Sequence, residues 1–288
     1  MTRFRADRLA TLHVFHPLQR LARPGMARIP ILMYHSISGM DDSHRHPYFR
    51  TVTSARVFEE HVRFLRENGY KAASLSDAVR LTQGPAEEAE KRFVMTFDDG
   101  FQDFYTQAFP ILSRYGYTAT VFLPTAYIGD TPQEFNGVEC LTWCQVRELR
   151  TAGVDFGSHT VTHSQLRDLD KRKVEYEVRA SKEEEEEQLG CPVTSFAYPY
   201  AFPESDGAFK NRLREILQEA GYQNGVSTII GRANRNDDTL FMKRLPINSS
   251  DDRRLFRAKL EGGYDWLHAV QSMHKAVNAH VLSRGQSC

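Results

Sequence analysis

The run Phe93-Val94-Met95-Thr96-Phe97 ends in two adjacent carboxylates and a glycine, Asp98-Asp99-Gly100. Neighbouring acids repel one another unless a cation or a shared proton compensates, so the pair is a candidate for metal binding or proton transfer. A solvent-exposed turn is the plainer reading of Asp-Asp-Gly. Further along, Asp155-Phe156-Gly157-Ser158 leads into His159-Thr160-Val161-Thr162-His163. On a helical turn this spacing sets both imidazoles on one side, within reach of one ion, although a lone His-x-x-x-His pair also arises by chance. Joined with Asp99, the two histidines make a three-ligand set that leaves positions open for water and substrate. A third segment, Phe196-Ala197-Tyr198-Pro199-Tyr200, is either core aromatics or a shaped wall whose Tyr200 backbone N–H faces a developing oxyanion.

These groups all follow short apolar runs, and the runs alternate with stretches of helical period. Strands are expected at Ile29 to His35, Ala72 to Leu75, Phe93 to Phe97, Thr118 to Leu123, Val154 to Gly157, Thr194 to Tyr198 and Leu240 to Pro246. Helices are expected from Val57 to Asn68 and at Ser76 to Leu81, Asp103 to Tyr115, Thr142 to Ala152, Lys171 to Leu189 and Gly207 to Ala220. Strand-helix repetition implies an α/β chain, a single distorted (β/α) barrel of about seven strands with its functional groups at the strands' C-terminal ends. The expected organisation is an arm over 1–28, the barrel over 29–250 and helices packed on it over 251–288. The acidic run Glu183 to Glu187 reads as a solvated helix face.

Composition narrows the function classes. Over 288 residues, 37 Lys and Arg balance 37 Asp and Glu, so no excess of positive charge favours a nucleic-acid partner. The longest apolar runs fall far short of the roughly 20 residues that cross a bilayer. Asp7, His13, His16 and Gln19 interrupt any apolar stretch a signal peptide would need near the N-terminus, so a cytoplasmic protein is expected. Four cysteines, Cys140, Cys144, Cys191 and Cys288, fit reduced thiols better than a disulfide framework or half of a zinc site.

Taken in order, Thr96-Phe97-Asp98-Asp99, His159-x-x-x-His163 and Tyr198-Pro199-Tyr200 resemble the first three motifs of the polysaccharide deacetylases, the NodB-like carbohydrate esterases. The similarity runs from about Ile31 to Ile247. It takes in Leu32-Met33-Tyr34-His35-Ser36-Ile37 and the Leu141-Thr142-Trp143 stretch leading to Gly157-Ser158-His159. The resemblance implies a metal-dependent hydrolase that removes an N-acetyl group from a sugar or an oligo- or polysaccharide. It implies one divalent ion, with zinc expected and cobalt, nickel or iron as alternatives, on Asp99, His159 and His163. Asp98 is then the general base, since bound zinc brings its water to a pKa of about 7 and polarises the acetyl carbonyl.

Two departures from the family pattern stand out. No late Leu-x-His motif supplies a general acid, and His268 after Trp266-Leu267 falls in an expected C-terminal helix. His35 ends the first strand instead, and barrel closure would bring it to the rim as the acid, from the side opposite Asp98. Ala197 stands where many relatives carry an arginine that orients the base, and the tryptophan that would partner it has no counterpart. Arg244 could supply that charge or form a surface ion pair. Phe101, Trp143, Tyr200 and Phe202 could pave a sugar groove or belong to the core. Two rival readings remain: a carbohydrate-binding pseudoenzyme of the same fold and a 2-His-1-carboxylate non-haem iron oxygenase.

Overall fold

The computed structural model describes residues 5–21, 25–40, 42 and 44–270. Seven parallel strands form a closed barrel: β1 (Ile31–Tyr34), β2 (Arg92–Phe97), β3 (Thr120–Leu123), β4 (Asp155–Ser158), β5 (Ser195–Ala197), β6 (Asn224–Ile230) and β7 (Met242–Pro246). They neighbour one another in chain order. Closure falls to β1, which pairs Leu32 with Leu245 on one side and Tyr34 with Phe97 on the other. Successive strand residues point to opposite faces, so alternate residues fill the interior. Ile31, Val94, Phe122, Ala197, Val226 and Met242 belong to one buried cluster.

Around the barrel lie α1 (Ala55–Glu67), α2 (Leu75–Gln83), α3 (Phe109–Tyr115), α4 (Trp143–Thr151), α5 (Lys171–Leu189), α6 (Gly207–Glu219) and α7 (Arg253–Leu260). Local chemistry sets their ends. Ser54, Ser74, Asp170, Asp206 and Asp252 each accept a first-turn N–H, and Thr142 with Gln145 closes a capping box on α4. Gly116 and Gly190 take the left-handed conformation that stops α3 and α5.

The seven-strand barrel agrees with the sequence expectation, but its membership does not. Of the expected second strand only Ala72 pairs, as the end of a two-residue piece, Lys71–Ala72, alongside the start of β2, and Leu75 already opens α2 behind the Ser74 cap. The strand absent from the expectation is β6. A side chain at its Gly225 would collide with the backbone of Leu240 and lie 3.0 Å from the carbonyl of Phe196. Close strand approach, not a turn, requires glycine at this position.

The acidic run on α5 also departs from expectation. Glu185 is fully buried, because Val174, Glu177, Val178, Ser181 and Glu185 share the inward face. Burial, with Glu184 close by, pushes its carboxyl well above the usual range and favours its neutral form.

Ahead of the barrel, Ala6–Ala10, Thr11–Phe15 and His16–Leu21 are helical. Phe15 stacks on Trp266 with ring centres 4.6 Å apart, and the Trp266 indole N–H donates to Thr11. Among the described residues no helix is long and apolar enough to cross a membrane. Cys140, Cys144 and Cys191 are free thiols, and Cys288 lies outside the described residues.

Candidate metal centre and active site

The C-terminal rim of the barrel gathers the residues singled out in sequence. Register explains the first pair: Tyr34 of β1 stands beside Phe97 of β2, and the Asp98 N–H donates to the Tyr34 carbonyl at 3.0 Å. The next residues, His35 and Asp98, are therefore neighbours, with His35 Nε2 3.9 Å from Asp98 Oδ2. His35 thus stands on the Asp98 side of the site, not opposite it, because the two strands that carry these residues pair directly.

Asp98 and Asp99 are consecutive but live differently. Val94, Thr96 and Asp98 share the inward phase of β2, and Met242 and Arg244 share that of β7. Arg244, with no exposed side-chain surface, grips Asp98 through both terminal nitrogens at 2.6 and 2.8 Å. The same guanidinium donates to Thr96 Oγ1 at 3.2 Å and to the Ser227 carbonyl at 3.0 Å. Arg244 forms no surface ion pair: β7 turns it into the interior, where its charge is spent on the buried Asp98. Burial alone would raise the Asp98 carboxyl, but Arg244, His159 and His35 reverse this and hold it far below the usual carboxylate range.

Asp99 leaves the strand in a left-handed conformation, φ +73°, followed by Gly100 at +60°. This swings its carboxylate away from Arg244 toward the histidines. Its Oδ1 is buried, has no hydrogen-bond partner, and lies 3.6 Å from His159 Nε2 and 3.2 Å from His163 Nε2. One ligand atom from each residue falls within 4.8 Å of the others. Burial raises Asp99 too, and the three nearby histidines bring its carboxyl below the ordinary value.

The histidine segment is not a helical turn. His159 continues β4, its N–H donating to the Leu123 carbonyl, and a loop with Thr160 at φ +69° and His163 at +54° brings the second ring back. Non-glycine residues in this region cost roughly 1–3 kcal/mol each and persist only where surroundings fix them. Four of the six such residues among those described, Asp99, Thr160, His163 and Tyr200, belong to this rim. His159 Nδ1–H donates to the Ala197 carbonyl at 2.8 Å, which leaves Nε2 a bare lone pair facing Asp99. Burial, opposed by Asp98 and aided by His163, pulls His159 down to about 4, so it is neutral near pH 7. Two imidazole nitrogens and an unpartnered carboxylate oxygen around one point form a donor set suited to a divalent cation.

The surrounding aromatics divide. Trp143 and Phe202 are core, Phe101 is buried, and Tyr200 is 47% exposed with its ring 4.6 Å from that of His163. Phe135 also packs on His163, ring centres 4.9 Å apart, from a hairpin not singled out in sequence. His268 turns away and bonds Glu204.

Residues 86–225 match the family model described as polysaccharide deacetylase. YxkH of Bacillus subtilis (strain 168), whose name places it among the polysaccharide deacetylases, is 30% identical over 235 residues, 82% of this chain and 77% of that protein. The chain belongs to the polysaccharide deacetylase family. Among solved structures, the Streptococcus pyogenes deacetylase PplD in complex with acetate superposes with a TM-score of 0.70 at 26% identity, over 82% of this chain and 99% of that one. The poly-beta-1,6-N-acetyl-D-glucosamine N-deacetylase of Escherichia coli (strain K12) is 38% identical over 122 residues, 39% of this chain and 18% of that protein. Within this barrel, Arg244 on β7 and His35 on β1 are the residues whose place along the chain hides their place in space.

Proposed function

We propose that this deacetylase is a metal-dependent N-deacetylase acting on an N-acetylated amino sugar or its oligo- or polymer. The observation that carries the reading is the buried, unpartnered Oδ1 of Asp99 between two imidazole Nε2 atoms. Asp99, His159 and His163 would hold a divalent ion, zinc before cobalt, nickel or iron, which when bound supplies Lewis acidity and an acidified water.

The remaining chemistry belongs to side chains of the rim. Asp98, oriented by the Arg244 fork, accepts a proton from the attacking water. A carboxylate held so far below its usual value is a weak base, so it serves only where that water is already acidified. The backbone N–H of Tyr200 stabilises the developing oxyanion, and its exposed ring lies where a sugar face can rest. His35, 19% exposed beside Asp98, donates a proton to the departing amine nitrogen. The buried Asp98–Arg244 pair supports catalysis over mere sugar binding, which has no use for an oriented base.

Acetate release should be measured across N-acetylglucosamine oligomers of increasing length. Turnover that a chelator abolishes and zinc or cobalt restores is the expected result. Sugar binding without acetate from the metal-loaded protein would instead support the binding module, and consumption of oxygen and 2-oxoglutarate by the iron form the oxygenase.

A further inference from the structure

His159 and His163 are anchored in different ways. His159 is fixed through its ring, by Nδ1 on the Ala197 carbonyl. His163 Nδ1 is buried without a hydrogen-bond partner, so its position rests on its backbone and on ring packing. That backbone is an irregular loop held from below by one face of α5.

Glu177 of α5 is buried at 5% exposure, and its two oxygens are spent on this loop. Oε2 accepts the N–H of Val161 and of Thr162, each at 2.9 Å, while Oε1 accepts the Thr162 hydroxyl at 2.6 Å. One turn on, Ser181 Oγ lies 2.6 Å from Ser158 Oγ, which accepts the Thr160 N–H at 3.1 Å. Thr160 Oγ1 in turn accepts the His163 N–H at 3.0 Å. Consecutive N–H groups aimed at one point form an anion-binding concavity, here filled by the chain's own carboxylate through charge-assisted bonds.

We infer that Glu177 is a positioning residue for the metal centre: it locks the His159–His163 loop so that His163 Nε2 stays converged on Asp99. The inference rests on the metal-site reading above. Glu177 touches no reacting atom, and its effect passes through the main chain of Val161 and Thr162. Outer groups that orient metal ligands commonly govern affinity by roughly 10- to 100-fold.

The test compares wild type, Glu177→Ala and Glu177→Gln by zinc affinity in chelator competition, by amide hydrogen exchange at Val161 and Thr162 in the metal-free protein, and by metal-free melting temperature. Glu177→Ala should weaken zinc binding by roughly 10- to 100-fold and speed both amides. Glu177→Gln, which keeps one oxygen acceptor, should recover most of the affinity with an unchanged melting temperature. If Glu177→Ala does not fold, Glu177→Gln decides, with a smaller loss of affinity and faster exchange expected. Wild-type affinity together with wild-type exchange in the variants overturns the inference. A wild type that takes up no zinc removes the metal reading itself, and slow exchange at Val161 and Thr162 in Glu177→Gln would then remove the positioning claim separately.

Discussion

Asp98 and Asp99 are joined by one peptide bond and buried to similar degree, yet one is saturated and the other is left open. Asp98 receives two guanidinium bonds from Arg244, whereas Asp99 Oδ1 faces two imidazoles with no hydrogen bond. The difference is a single backbone choice. Asp98 follows the strand into the barrel, and the left-handed φ of Asp99 turns the next carboxylate outward to the histidine loop. Two like charges at neighbouring positions coexist because each is balanced by a different part of the molecule.

The sharpest way to separate them is to neutralise the first. Asp98→Asn should retain metal and lose roughly 100- to 10,000-fold in acetate release, since an amide accepts no proton. Metal analysis of the purified variant beside its turnover number makes the check, and a metal-free Asp98→Asn would break the division of labour.

His35→Ala acts on the same side of the site. It should slow amide hydrolysis by roughly 100-fold while an activated ester, whose leaving group needs no proton, slows far less. Equal slowing of both substrates would show that His35 supports Asp98 rather than donating a proton.

Arg244→Met attacks the balance of Asp98 directly. Removing one partner of a buried pair costs roughly 3–5 kcal/mol near pH 7. The sign follows from the depressed native value of Asp98: its stabilisation is present above the unfolded carboxyl value near 3.8 and lost as pH falls below it. Without Arg244, burial raises Asp98 and the carboxyl protonates, so the deficit should shrink between pH 7 and pH 4. Urea unfolding across that range reads it, and a deficit that does not change with pH would show that Asp98 is not the group responsible.

Glu185 offers a third buried carboxyl, without Arg244 or a histidine. Its raised value means stabilisation fully present below about 4.5 and lost as pH rises above it. Glu185→Gln should flatten stability between pH 5 and pH 8 and leave turnover within about twofold, the smallest effect of the set. A stability profile as steep as that of wild type would mean Glu185 is already ionised.

Sequence carried the site's members further than their geometry. Asp98, Asp99, His159, His163 and Tyr200 stand at strand ends, where period-two patterning and Gly or Pro punctuation mark them. The strand pairing that brings His35 beside Asp98 and Arg244 beneath it is a property of closure, invisible along the chain. The His159–His163 loop escaped because a four-residue spacing fits a helical turn as well as a left-handed loop. Glu177 and Glu185 were hidden by composition, since a helix rich in Glu and Lys reads as solvated although every fourth residue turns inward. β6 was not among the expected strands, and its Gly225 marks a close strand approach.

The central claim is that Asp99, with His159 and His163, binds the metal while Asp98 does not. Zinc titration of Asp98→Asn and Asp99→Asn side by side, read by calorimetry on chelator-stripped protein, tests it most directly. The account predicts one zinc per chain at near wild-type affinity for Asp98→Asn and loss of the site in Asp99→Asn. Zinc retained by Asp99→Asn and lost from Asp98→Asn would contradict it.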